Sequence, residues 1–482
     1  MTTTLTATDL AGLLGPLTDA NRRHAAIYPG AATARQPVHT VYGGANLYKA
    51  GVHLKLGQLA LKALDEYAPD FATFARAVGL AGADQLPVEP ARVAALAAEL
   101  AADPGRLSAA YEPAWRACTV YQRVRDKLAR EPIEEQRIDF EDGYGNRPDA
   151  EEDAHAVQAA TELARALAEG NLPPFIGFRI KAFTEESRAR SVRTLDLFLS
   201  TLAAAGGGRL PNGFVVTLPK VTHPEQVAAL AGLLDVLEAR TRLPRGGVGI
   251  DLMIETTQSI FDEQGRANAA VLVRAGAGRV RSAAFGTYDY TASCNITAAY
   301  QTHTHAASDF ARHVMQVALA DTGVTLSDGA TTQMPIGPHK GTAEKPLTVS
   351  QVAENRAVVH GAWALHFQNV QHSLAHGYYQ GWDLNPAQLP VRYAAIYDFF
   401  LRGLADASTR LNAFVQRAAQ ATLSGNTFDD AATGQGLLNF FLRGLACGAL
   451  AEAEALATGV TLDELKGRSF LTIVANRAAA KA

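Results

Sequence analysis

Three carboxylates, Asp139, Glu141 and Asp142, fall within four positions in "RIDFEDGYGN" (137–146), directly after a run that reads as a buried strand. Crowded carboxylates raise one another's pKa and resist ionisation. They are therefore either solvated and idle or arranged around positive charge. Other polar residues end other apolar runs: Arg179 and Lys181 after "PFIGF", Lys220 after "VVTLP", Glu255 after "GIDLMI", Asp289 after "SAAFGTY", and later Asp328 and Asp383. Glu255 closes a very apolar stretch, where a carboxylate needs a buried partner. Mg²⁺ takes one or two protein carboxylates and completes its octahedron with substrate and water. Glu255 and Asp289, on consecutive candidate strands, form the best ligand pair for it. Arg179 then faces an anionic substrate, because its planar fork binds a carboxylate bidentately. Asp142 before Gly143 and Asp328 before Gly329 also fit plain turn or cap residues, and Lys220 after Pro219 fits either role.

Such residues need elements that bring them together. Strand-like runs recur at 38–44, 136–142, 174–180, 212–221, 247–256, 279–290, 323–330 and 376–384, with helical periodicity between them. From the second run to the sixth the spacing is roughly 33 to 38 residues. Alternating β and α elements imply parallel strands joined by right-handed crossovers. Eight units predict an α/β fold, a (β/α)₈ TIM barrel, whose functional groups gather at the C-terminal ends of its strands. A doubly wound sheet is the structural rival, but no GxGxxG follows any strand. The expected organisation is a helical N-terminal segment (1–37), the barrel (38–392) with a helical insertion at about 50–130, and an α-helical C-terminal extension (393–482).

Composition narrows the partners. The 482 residues carry a net charge of −4 with no basic run, so nucleic acid is not an expected partner. Cys118, Cys294 and Cys447 are isolated, which fits a reducing compartment rather than a disulfide framework. The opening lacks the basic and apolar regions of a signal peptide. No stretch approaches the roughly 18 apolar residues of a membrane span. A cytoplasmic protein without a membrane partner is expected. "QTHTHAASDFARH" places His303 and His305 two apart and His313 further on, in what reads as a loop entering a helix. Surface or supporting roles are expected there rather than a zinc pair, and packing or exposure for "HFQNVQH" (366–372).

The stretches "IDFEDGYGNRPDAEEDAHA", "FRI", "LPKVTHPEQV", "LMIETTQSI", "FGTYDYTAS" and "GWDLNPAQLPVRYAAIYDFF" follow one another in a telling order. That order resembles the citrate lyase β-subunit and HpcH/HpaI aldolase family over roughly residues 38 to 400. The resemblance implies a TIM barrel binding Mg²⁺, with Mn²⁺ as the substitute, through Glu255 and Asp289. It implies that Arg179 binds the carboxylate of a 2-oxo or 2-hydroxy acid, with Gly286 and Thr287 at the substrate. Asp139, Asp142 and Lys220 join Arg179 as candidate catalytic groups. Family members make or break carbon–carbon bonds through a metal-stabilised enolate. Asp142 stands where the acyl-CoA lyase branch has its aspartate, which implies a CoA thioester substrate and a homo-oligomer completed by a late acid. Here Gly434 stands where that acid is expected, leaving Asp430 or Asp429 to close the site, and Asn385–Pro386 replaces the family's His–Pro. The alternatives are a phosphoenolpyruvate- or pyruvate-type enzyme of the same superfamily, and a non-catalytic metabolite-binding member.

Overall fold

Short runs rich in β-branched and aromatic residues, bounded by Gly, Pro and polar turns, form eight parallel strands. They are β1 (His39–Gly44), β2 (Glu135–Asp139), β3 (Phe175–Arg179), β4 (Val215–Leu218), β5 (Gly249–Ile254), β6 (Val280–Phe285), β7 (Thr325–Ser327) and β8 (Gly381–Asp383). The sheet order is β7-β6-β5-β4-β3-β2-β1-β8. A parallel bridge between Ala330 and Trp382, and the Asp328 N–H donating to the Gln380 carbonyl at 2.8 Å, join its two edges. The result is the TIM barrel that the βα alternation predicts. This computed structural model describes residues 4–30, 35–416, 422–424, 427–429, 431–466 and 473.

The helices begin with α1 (Ala7–Ile27). The segment between β1 and β2 holds α2 (Val52–Tyr67), α3 (Phe71–Val78), α4 (Pro90–Ala102), α5 (Pro104–Ala110) and α6 (Glu112–Arg130). Crossovers follow as α7 (Asp149–Glu169), α8 (Arg188–Gly206), α9 (Pro224–Thr241), α10 (Thr257–Ile260), α11 (Asn268–Ala275), α12 (Thr287–Ser293), α13 (Ala306–Leu319) and α14 (Val349–Ala375). Beyond β8 lie α15 (Leu389–Gln416), β9 (Thr422–Ser424), β10 (Thr427–Asp429), α16 (Ala431–Ala446), α17 (Glu452–Leu456) and α18 (Leu462–Lys466). Among the described residues no helix is long and apolar enough to cross a membrane.

Two sequence expectations change here. The sixth strand ends at Phe285, not at residue 290. Gly286 makes the last ladder bond, its N–H donating to Ile254 at 3.0 Å, and its carbonyl then accepts from Tyr290 at 3.0 Å to start α12. Asp289 therefore sits in the first turn of a short helix. The C-terminal extension is not helical throughout either. Thr422–Ser424 and Thr427–Asp429, short runs around Leu423 and Phe428, pair antiparallel as a β-ribbon, because alternating Thr and apolar residues favour extended backbone over helix.

Among the described residues, apolar side chains form two clusters. One fills the space between barrel and crossovers, with Phe178 stacked on Phe198 at 4.2 Å and on Phe214 at 5.8 Å. The other joins α2, α3 and α6 to α14, α15 and α16 through Leu64, Phe74, Val124, Trp363, Phe400 and Phe441. The insertion after β1 and the chain after β8 thus share one core.

The barrel interior is polar. Arg137 Nη2 lies 2.8 Å from Glu135 and its Nε donates to Thr217 Oγ1 at 3.1 Å. Thr217 donates to Asp251 at 2.8 Å, and Ser282 donates to the same carboxylate at 2.5 Å. Thr40 and Gln380 donate to Glu135 at 2.5 and 2.6 Å. Each buried charge has an opposite charge or donors within reach, as burial demands.

Candidate active site

The parallel register of β2 and β3 sets Asp139 directly opposite Arg179. Arg179 is 1% exposed, and its Nε and Nη2 donate to the two oxygens of Asp139 at 2.7 and 2.5 Å. Asp139 also accepts the backbone N–H groups of Glu141 (3.0 Å) and Gly143 (2.7 Å). A Cβ at Gly143 would run into Asp139 Oδ2, so this tight turn needs a glycine. The carboxylate spends its acceptor capacity on shaping the turn and fixing the guanidinium. Tyr42 covers one face of that guanidinium, 4.6 Å from Arg179 Cζ, with the Trp382 ring 5.6 Å away.

Above this pair lies the barrel mouth. Arg179 Nη1 reaches Glu141 at 2.9 Å, and Glu141 also accepts from Lys220 Nζ. Lys220 Nζ lies 3.2 and 3.3 Å from the two oxygens of Asp142, which is 58% exposed. Burial works against the Lys220 ammonium, but Glu141 and Asp142 outweigh it and hold its pKa above the ordinary lysine range. Lys220 is therefore a fixed cation at neutral pH. Its backbone adopts φ 51°, which turns its N–H toward Glu255 Oε1 at 2.8 Å. So the cations between the three carboxylates of "DFED" are, first of all, Arg179 and Lys220.

Glu255 follows β5 directly and is 3% exposed. Burial, then the negative charges of Asp289 and Glu141, push its pKa up to about 8. Among the described residues, the Lys220 N–H is its one hydrogen-bond donor. A Cβ at Gly286 would collide with Glu255 Oε2, so this glycine leaves room beside the carboxylate. Thr287 Oγ1, next along, is buried without a hydrogen-bond partner among the described residues. The carboxyl groups of Asp139, Glu141, Asp142, Glu255 and Asp289 outnumber the cations Arg179 and Lys220, so the mouth accommodates further positive charge. A hard divalent cation beside Glu255 and Asp289 fits that donor set. Both are oxygen ligands, and two carboxylates suffice for Mg²⁺, which retains waters.

Other predicted residues lie elsewhere. Asp383 does not face the mouth: it turns outward against α14 and α15, 3.0 Å from His366 Nε2 and 2.9 Å from Arg392 Nη2. Trp382, its neighbour in β8, takes the inward position, since successive strand residues alternate faces. Asp328 is no plain turn residue. It is buried, accepts from Arg312 Nε at 2.8 Å and from Ser373 at 2.6 Å, and lies 3.2 Å from His303. His303 and His305 part company: His305 caps α13, accepting from the Ala307 N–H, while His303 is buried. Asp429 ends β10, and Asp430 lies outside the described residues.

The sequence reading missed Glu141 as the bridge between Arg179 and Lys220, and it missed the polar interior. "EQRID" carried the signal, because Glu135, Arg137 and Asp139 alternate along one face of a strand with no solvent side. Cavity size alone would mislead. A cavity of about 540 Å³ lies far from the mouth, beside Arg35 and Lys127, and Glu134 already pairs with both, at 2.9 and 2.6 Å.

Comparison with solved structures places this barrel among known ones. A citrate lyase from Burkholderia xenovorans LB400 superposes with a TM-score of 0.50 at 18% identity, over 70% of this chain and 91% of that one. A Haloferax volcanii malate synthase in a magnesium and glyoxylate complex gives a TM-score of 0.38 at 15% identity, over 55% of this chain and 66% of that one. The same enzyme in a pyruvate and acetyl-CoA ternary complex gives 0.38 at 15%, over 72% and 89%. The first of these likenesses supports the fold. No curated protein matches the chain by sequence. The profile of a family described as a domain of unknown function, DUF6986, matches residues 17–473, and the chain belongs to that family.

Proposed function

We propose that the barrel mouth makes or breaks a carbon–carbon bond in a small 2-oxo or 2-hydroxy acid, free or as a CoA thioester. Glu255 and Asp289 would hold Mg²⁺, or Mn²⁺ in its place. The observation that carries this reading is Glu255, a buried carboxylate at the C-terminal rim with one backbone donor and, among the described residues, no side-chain hydrogen-bond donor. Bound there, the metal would supply a Lewis acid for the substrate's 2-oxo oxygen.

The chain's own residues do the rest. Arg179, fixed by Asp139, presents Nη1 toward the mouth, and Lys220 adds a permanent ammonium beside it. Together they bind the substrate carboxylate and stabilise negative charge that develops on the substrate, because preorganised charge needs no reorganisation during reaction. Glu141 now occupies both cations, so it moves aside as the substrate carboxylate takes its place. A lysine held this firmly protonated is a poor Schiff-base nucleophile, which favours metal-assisted chemistry over a covalent amine route. Asp142, exposed on the rim beside Lys220, is the candidate for proton transfer, with Asp430 or Asp429 of a neighbouring copy as the competing acid. The barrel shared with a citrate lyase is in keeping with this chemistry.

Calorimetric titration with Mg²⁺ and deuterium exchange into the pyruvate methyl group test the reading together. Glu255→Gln and Asp289→Asn should each abolish Mg²⁺ binding and exchange while leaving circular dichroism unchanged. Unaltered Mg²⁺ affinity in both variants sinks the proposed site. Asp142→Ala separates the two acids: lost exchange assigns the proton to the barrel rim, retained exchange to the C-terminal segment.

A further inference from the structure

On the outer wall, away from the mouth, α13 and α14 bring a second set of ligand groups together. A carboxylate oxygen of Asp309 and one ring nitrogen each of His372 and His376 lie within 4.8 Å of one another. His372 and His376 are one helical turn apart at the end of α14, so both rings project to the same side, with centroids 4.1 Å apart. His376 Nδ1 lies 2.8 Å from the His372 carbonyl. A carbonyl only accepts, so Nδ1 carries the proton and Nε2 is left as a metal donor. His372 Nε2 lies 2.7 Å from Asp309 Oδ1, so a bound ion would replace the proton they share. Asp309 Oδ1 also accepts from Arg312 at 2.8 Å, while Asp309 Oδ2 has no hydrogen-bond partner among the described residues. His313, one turn beyond Asp309 on α13, sets its ring 5.4 Å from that of His376. All three core groups are half-buried, open enough for an ion to enter.

We infer that Asp309, His372 and His376 form a transition-metal site, of the Zn²⁺, Co²⁺ or Ni²⁺ class, that clamps α13 to α14. Ligand chemistry separates it from the barrel mouth. At the mouth Glu255 and Asp289 offer carboxylate oxygens, which suit Mg²⁺. The outer site offers two imidazoles and one carboxylate, a set that suits zinc and its neighbours in the first transition row. The clamp lies against the buried network of Asp328, Arg312 and Ser373, so a bound ion would stiffen the wall behind β7.

Co²⁺ titration of the full-length protein in millimolar Mg²⁺, followed by visible absorption, tests the assignment. One equivalent should bind. His372→Gln with His376→Gln should weaken binding by at least about tenfold without changing far-ultraviolet circular dichroism, while His305→Gln binds as the wild type does. Should the double variant fail to fold, His376→Gln alone, at the helix end, must show the same weakening. Zn²⁺ should also raise the Tm of the wild type and leave that of the histidine variant unmoved. Equal Co²⁺ affinity in the wild type and the histidine variant, or no uptake by the wild type at millimolar Co²⁺, overturns the site.

Discussion

Lys220 donates its backbone N–H to Glu255 Oε1 at 2.8 Å from a left-handed conformation, φ 51°. A side chain in this region costs about 1–2 kcal/mol, so the strain is maintained for the sake of the mouth. Two substitutions divide backbone from charge. Lys220→Gly and Lys220→Met should both lose most affinity for oxalate, a mimic of the substrate carboxylate. The glycine variant should be about 1 kcal/mol more stable than the methionine variant, read as the difference in urea midpoints. Equal midpoints would mean the backbone is not strained, and undiminished oxalate affinity would remove the ammonium from binding.

Glu255 makes stability depend on pH. Its folded pKa, about 8, exceeds that of an exposed glutamate, so the native state holds a proton that the unfolded chain has released. The metal-free protein therefore loses stability as pH rises from about 4.5 toward 8. Glu255→Gln removes that loss. Without metal it should melt several degrees above the wild type at pH 8 and closer to it at pH 5. Mg²⁺ should stabilise the wild type and release a proton on binding at pH 7, seen as a buffer-dependent calorimetric heat. A buffer-independent heat would contradict a protonated Glu255.

Arg179→Lys keeps the charge but cannot make two parallel bonds to Asp139. With Asp139 fully buried and left short of a donor, the cost should be about 2–4 kcal/mol in chemical denaturation, alongside weaker oxalate binding. A variant as stable as the wild type would mean that the Asp139 clamp contributes little.

Asp383→Asn should be costlier still for the fold. Burial disfavours the ionised carboxylate, yet Arg392 and His366 outweigh it and hold Asp383 below the usual carboxylate range. Such a group contributes stability above about pH 4 that fades as pH falls through its folded pKa. The variant should lose about 3–5 kcal/mol at pH 7, and the gap to the wild type should narrow in acid. His39, buried 3.4 Å from Asp383, has its pKa drawn down to about 4 by burial and stays neutral over most of this range.

The βα rhythm made the barrel legible from sequence, because each parallel strand needs a helical crossover before the next. Arg179, Lys220 and Glu255 were legible as strand-end residues, for the C-terminal rim follows from strand direction alone. Side-chain pairing was not. That Asp139 meets Arg179 depends on the β2–β3 register, which no local pattern encodes. Asp383 ends a strand yet faces away from the mouth, since a strand-end position does not say which face of a three-residue strand a residue occupies. The Asp309, His372 and His376 cluster was hidden for a related reason. Residue 376 read as the start of a strand, and only the helix running through Ala375 puts it one turn after His372.

The shared core of insertion and extension sets an order of events during synthesis. Helices α2, α3 and α6 emerge from the ribosome early, yet the apolar faces of α14, α15 and α16 that cover them lie more than two hundred residues later. Contacts of such long separation pay a large loop-closure cost before they reward it. Until the last quarter of the chain arrives, Leu64, Phe74 and Val124 lack their final cover, the kind of surface on which nascent chains associate or recruit chaperones.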